Sequence, residues 1–143
     1  MADPAMKPSS EVRSFRDLLV WQLAMDLAVR VRRLAATLPP EERFELGREI
    51  RRSSTSIPSN IAEGFCRHSR RAYRAHVTIA LGSGGELATQ LELVRRLGYL
   101  PESECAPVLA DTETVSRLAQ GLWRSLAPAG DGEPGHNVKA RPR

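Results

Sequence analysis

Tyr73, Val77, Ala80, Gly84, Leu87, Leu91 and Val94 follow one another at alternating spacings of four and three residues. That period places them on one stripe of an α-helix and excludes a strand, whose side chains alternate between faces at every residue. A helix of this kind is stable only when its apolar stripe is packed, so the rest of the chain must supply partners.

Three further segments carry the same period. In residues 15–38, Trp21, Ala24, Ala28, Val31, Ala35 and Leu38 recur at threes and fours, and Val20, Leu27 and Leu34 widen the stripe. Pro39-Pro40 stops this helix, because proline disfavours a helical residue before it. In residues 41–65, Leu46, Ile50, Ser53 or Ser54, Ile57, Ile61 and Phe65 form the inner stripe. Glu41 and Glu42 suit the positive end of the helix dipole. Pro58 removes the bond to the Ser54 carbonyl and predicts a kink, with Ser and Thr hydroxyls at hand for the freed carbonyls. Gly64 suits the C-terminal cap.

Ser69 suits the N-cap of the heptad-bearing helix, which ends at Gly98. The fourth segment opens at Pro101 or Ser103 and carries Cys105, Val108, Thr112, Val115, Ala119, Leu122 and Leu126. Pro107 is tolerable there because it falls near the first turn.

Four such segments with short links predict an all-α, antiparallel up-down-up-down four-helix bundle over residues 14–127. Residues 1–13 are expected to form a flexible arm, and residues 128–143, rich in Pro and Gly, a disordered tail. Aromatic residues make up only 5% against 41% hydrophobic, so the core must be built from Leu, Ile, Val and Ala.

Little in the chain points to catalysis. Gly82-Ser-Gly-Gly85 lacks the Lys-Ser/Thr of a phosphate loop and lies mid-helix. Its glycines suggest instead the close approach of a neighbouring helix, with the small residues Ser53 to Ser56 as the facing surface. His68, His76 and His136 are too scattered for a metal site. Cys66 has Arg67, Arg70 and Arg71 nearby to lower its pKa, but a nucleophile also needs a base and an oxyanion site. No enzyme, cofactor or metal is expected. The absence of an apolar leader or spanning run predicts a cytoplasmic protein without membrane contact.

Two polar patterns remain. Arg52, Ser56, Asn60 and Glu63 share one helix face at spacings of four, four and three. We read them as a buried polar network fixing helix register, with a ligand site as the alternative. The second pattern is charge. The chain carries +4 overall, and residues 48–76 hold Arg48, Arg51, Arg52, Arg67, Arg70, Arg71 and Arg74 against only Glu49 and Glu63. An antiparallel hairpin would gather these arginines into one basic pole suited to RNA or DNA phosphates. A solvated face with local pairs such as Glu63 with Arg67 is the competing reading. No interleaved aromatic platform accompanies the arginines, so base stacking has no support here. Leu18, Leu19, Leu23, Leu118 and Trp123 exceed what one bundle face needs, which suggests self-association or a protein partner.

Several strings carry a resemblance. They are Phe15-Arg-Asp-Leu-Leu-Val-Trp-Gln22, Leu46 with Ile50-Arg-Arg52, Ser56-Ile-Pro-Ser-Asn-Ile-Ala-Glu-Gly64, and Ala80-Leu-Gly-Ser83 with Glu86-Leu87. In this order they resemble the small bacterial four-helix-bundle proteins first noted in intervening sequences of 23S ribosomal RNA genes. The resemblance covers roughly residues 14–127. It implies a left-handed antiparallel bundle, often a ring-like homopentamer, and no established enzymatic activity. It also implies a distant similarity to the accessory variability protein of diversity-generating retroelements, a basic pentamer thought to engage a reverse transcriptase, a nucleic-acid enzyme, and nucleic acid. A homo-oligomer that binds RNA or DNA, and a protein-interaction scaffold without nucleic-acid affinity, are the two functions this reading supports.

Overall fold

The computed structural model describes residues 12–128. The expected arm and tail lie outside the described residues, apart from Val12, Arg13 and Pro128. Among the described residues every regular element is helical: α1 is Leu19–Ala35, α2 Leu46–Cys66, α3 Arg70–Arg96 and α4 Glu102–Ser125. Short links join them into an antiparallel bundle, with α2 and α3 in the most extensive contact and α1 and α4 in the sparsest of the neighbouring pairs.

Helix ends follow their local chemistry. The chain before α1 forms a separate 3-10 turn at Phe15–Asp17, capped reciprocally by Ser14 and Asp17. Leu18 is extended (φ −75°, ψ 124°), so α1 starts later than the expected residue 15. The expected first turn of the second helix is likewise a 3-10 turn, Pro40–Glu42, and Glu45 leaves helical geometry before Leu46. Ser69 caps α3 as expected, its hydroxyl accepting from the Ala72 amide. Gly98 ends it at φ 69°, where Gly98 N–H reaches the Arg95 carbonyl and Tyr99 N–H the Val94 carbonyl. Pro107 stands a turn deeper in α4 than expected, exposed, where it forgoes the bond to the Ser103 carbonyl.

The core holds Leu38, Ile50, Ile57, Ile61, Leu87, Leu91, Val31, Val77 and Val94 at full burial. Aromatic rings stay at its margin, with Trp21 partly buried against it. Leu18, Leu23 and Leu118 pack on the core too, so the apolar surplus read from the sequence thickens the bundle. The exposed large apolar residues are different ones: Met25, Val29, Phe44, Ile79, Leu93 and Leu97.

Small residues let α2 and α3 approach closely, though not where the glycine run suggests. A Cβ at Gly64 would lie 2.8 Å from the His76 Cβ and 3.1 Å from the Tyr73 carbonyl oxygen. Gly64 is therefore a contact residue, and the left-handed residue after the helix is His68 (φ 55°). Gly84 faces Ser116 on α4, whereas Gly82 and Gly85 have open space beside them. The serine surface of α2 meets Ser83, with Ser56 Oγ and Ser83 Oγ 2.7 Å apart. The hydroxyls before Pro58 bond one turn back: Ser53 to the Glu49 carbonyl, Ser54 and Thr55 to that of Arg51.

Candidate nucleic-acid interface

The link of residues 67–69 reverses the chain so tightly that Arg67, at the end of α2, meets the first turns of α3, with Arg70, Arg71 and Arg74. Antiparallel α4 brings its last turn to the same end. Arg70 donates to the Ser125 carbonyl there, and Arg74 Nε donates to the Trp123 carbonyl at 3.2 Å. These carbonyls sit at the negative end of the α4 dipole, so the guanidinium groups cap the helix favourably. The Arg74 guanidinium lies over the Trp123 ring, 3.8 Å from its centroid. The indole N–H donates to Thr78 Oγ1 at 3.1 Å and fixes the ring.

Arg71 is exposed, as is Arg124 in the last turn of α4, and neither has a charged partner among the described residues. Arg67 is neutralised locally. Its Nη2 donates to Glu63 Oε1 at 2.9 Å, and this bond, with His76 beside it, holds the Glu63 carboxyl below its ordinary pKa.

Arg48, Arg51 and Arg52 do not join this end. They occupy the first turns of α2, and at 1.5 Å per residue Arg48 stands roughly 28 Å from Arg67. Arg51 donates to the Arg43 carbonyl at 3.1 Å. Arg48 is exposed, and Arg52 borders a groove with Glu49 and Glu86. The single pole expected from the sequence is thus split by the length of a helix, and only its Arg67–Arg74 half is gathered.

The polar face of α2 is assembled with one change. Asn60 Nδ2 donates to the Ser56 carbonyl at 2.9 Å and lies 3.1 Å from Ser56 Oγ, which meets Ser83. His76 Nδ1 lies 3.2 Å from Asn60 Oδ1 and 3.9 Å from Glu63 Oε2. Ser56, Asn60 and Glu63 therefore link α2 to α3 through Ser83 and His76, but Ser56 and Asn60 are only half-buried and Glu63 is exposed. Arg52 points into the groove beside them and takes no bond in the chain Ser83–Ser56–Asn60–His76.

Trp123 is the residue the sequence reading misplaced. It counts there as spare apolar surface, yet it supplies the aromatic surface beside the arginines. The contact spans 49 residues, so nothing in the local pattern around Trp123 signals it. Among the described residues no group of His, Cys, Asp or Glu gathers as metal ligands, and no helix is long and apolar enough to cross a membrane.

The model of the 23S rRNA-intervening sequence protein family matches residues 16–121. The chain belongs to that family. Its fold is also similar to a 1.70 Å crystal structure of a protein of unknown function from the S23 ribosomal protein family of Bacteroides thetaiotaomicron VPI-5482. The two are 28% identical with a TM-score of 0.70, over 74% of this chain and 96% of that one. No curated protein matches the chain. The family match contains Arg67, Arg70, Arg71 and Arg74 and stops short of Trp123. Neither the family's description nor that of the solved relative names an enzymatic activity.

Proposed function

We propose that this protein is a non-enzymatic homo-oligomer that binds RNA or DNA through the end of the bundle carrying Arg67, Arg70, Arg71 and Arg74. The observation that carries the reading is the gathering of these arginines from two helices beside Arg124, with Arg71 and Arg124 exposed and without an acid partner among the described residues. Phosphate is the ligand chemistry that suits several guanidinium groups at one place. A ring of copies, a homopentamer by resemblance to the family, would repeat the charge and add avidity for a polyanion.

The test is light scattering after size exclusion, followed by binding of a labelled structured RNA at low and high salt. A particle larger than a monomer should bind at low salt and release at high salt, because phosphate contacts displace counterions. Charge reversal at Arg70, Arg71 and Arg74 should abolish binding. Arg71→Glu with Arg124→Glu is the milder variant, since neither side chain holds the fold together. Unchanged binding by both variants refutes this end as the site.

A second reading is a scaffold for a protein partner, such as a nucleic-acid enzyme, without nucleic-acid affinity of its own. Phe44, 73% exposed, and Leu97, 51% exposed, favour it. Salt-insensitive association with a protein and no affinity for RNA at low salt would establish it.

A further inference from the structure

Between the first turns of α3 and the last turn of α4 lies a groove of about 590 Å³, bordered by Arg70, Arg71, Arg74, Trp123, Leu126 and Pro128. Its walls are of two kinds. Leu126, Pro128 and the Trp123 ring make an apolar surface, and the guanidinium groups make a cationic rim. The Arg74 guanidinium lies over the indole, so charge and flat surface coincide at one point. Both parts are fixed in advance: Trp123 by its bond to Thr78, Arg74 by its bond to the Trp123 carbonyl, Arg70 by its bond to that of Ser125. Arg71 stays exposed and uncommitted.

We propose that this groove takes an unpaired nucleotide, its base stacked on the Arg74–Trp123 pair and its phosphate held by Arg70 and Arg71, so that the protein prefers single-stranded nucleic acid. The proposal rests on the reading of this end as the phosphate-binding one. A duplex presents phosphates but keeps its base faces covered, whereas a single strand offers both to one groove. Guanidinium and indole both stack on bases regardless of their identity. A base-edge reader is missing among the polar side chains nearest the pair: the Thr78 hydroxyl accepts from the indole and donates to the Arg74 carbonyl. Binding should therefore be indifferent to sequence.

Trp21→Phe leaves Trp123 as the one indole reporter in the full chain. Its fluorescence is titrated with oligo-dT, oligo-rU and a mixed-sequence duplex of equal length at low salt. Quenching by the single strands, with tighter binding than the duplex, is expected. Capture of only one of the two single strands supports the proposal and adds a preference at the sugar or at the base 5-methyl group. Binding itself is read in parallel by the anisotropy of labelled oligonucleotides, because Trp123→Leu removes the indole reporter; that variant keeps apolar bulk and should weaken single-strand binding roughly tenfold or more while sparing duplex binding. Trp123→Phe should restore most of the loss. Salt-sensitive binding of strand and duplex alike, without quenching and unaffected by Trp123→Leu, overturns the stacking site and leaves the basic end standing. Failure of every nucleic acid to bind overturns both.

Discussion

Four glycines of this bundle should respond to alanine with different signs, and the space around each sets the sign. All lie inside helices, where replacing Gly by Ala gains about 1 kcal/mol from backbone entropy. At Gly82 and Gly85 an added Cβ meets nothing within 4 Å, so that gain stands unopposed. At Gly64 it would lie 2.8 Å from the His76 Cβ and 3.1 Å from the Tyr73 carbonyl oxygen. Neither atom can rotate away, so α2 and α3 must part by several tenths of an ångström along their closest contact. Overpacking of this kind costs about 1–3 kcal/mol, and the rigid atoms place the cost in the upper half of that range. Offset by the helical gain, Gly64→Ala should lose about 1–2 kcal/mol. At Gly84 the obstacle is the Ser116 hydroxyl, 2.8 Å away, which can turn aside and leave the change near neutral. Urea unfolding followed by far-ultraviolet circular dichroism, at one fixed protein concentration, reads all four. With a slope of about 2 kcal/mol per molar, the midpoint should rise by roughly 0.5 M for Gly82→Ala and fall by roughly 0.5–1 M for Gly64→Ala. A Gly64→Ala protein as stable as the parent would refute the close approach of the two helices.

Two further outcomes follow from buried groups. The Tyr73 hydroxyl is buried without a hydrogen-bond partner among the described residues, and burial pushes its pKa up to about 12. The unfolded chain ionises near 10, so the stability contributed by keeping Tyr73 neutral is complete below that pH. It should be lost as pH rises toward 12. Tyr73→Phe should remove that slope and be more stable by roughly 1 kcal/mol at neutral pH, because it deletes an unsatisfied polar atom; a less stable variant would show that the hydroxyl has a partner. Cys66 is exposed whereas Cys105 is buried, with its thiol pushed up by burial and by the Glu102 carboxylate. A thiol reagent under native conditions should label Cys66 promptly and Cys105 only on unfolding; equal rates would contradict the packing at the start of α4.

The helices and their order were legible in the sequence because a helix encodes its own buried face. Spacings of three and four put Tyr73, Val77, Ala80, Gly84, Leu87, Leu91 and Val94 on one stripe whatever packs against it. Ser69 and Gly98 mark helix ends through bonds to their own neighbours, so they were legible too. The exact starts of α1 and α2 were not, since capping and acidic residues such as Ser14, Asp17, Glu41 and Glu42 suit the 3-10 turns before them as well as the first turn of an α-helix. The site was half legible. The turn of residues 67–69 makes Arg67, Arg70, Arg71 and Arg74 neighbours in any helical hairpin, but Arg48, Arg51 and Arg52 are close to them only along the chain. A rise of 1.5 Å per residue turns that sequence proximity into the length of a helix.

What Trp123 touches was decided by the tertiary structure alone. Its contacts with Arg74 and Thr78 depend on the axial register of α4 against α3, across 49 and 45 residues. Ser56 with Ser83, and Asn60 with His76, depend in the same way on how α2 slides along α3. Periodicity fixes which face of a helix is buried. It leaves free how far one helix is displaced along another, and that displacement, set by side-chain packing and by contacts such as Gly64 against Tyr73, determines which polar and aromatic groups meet.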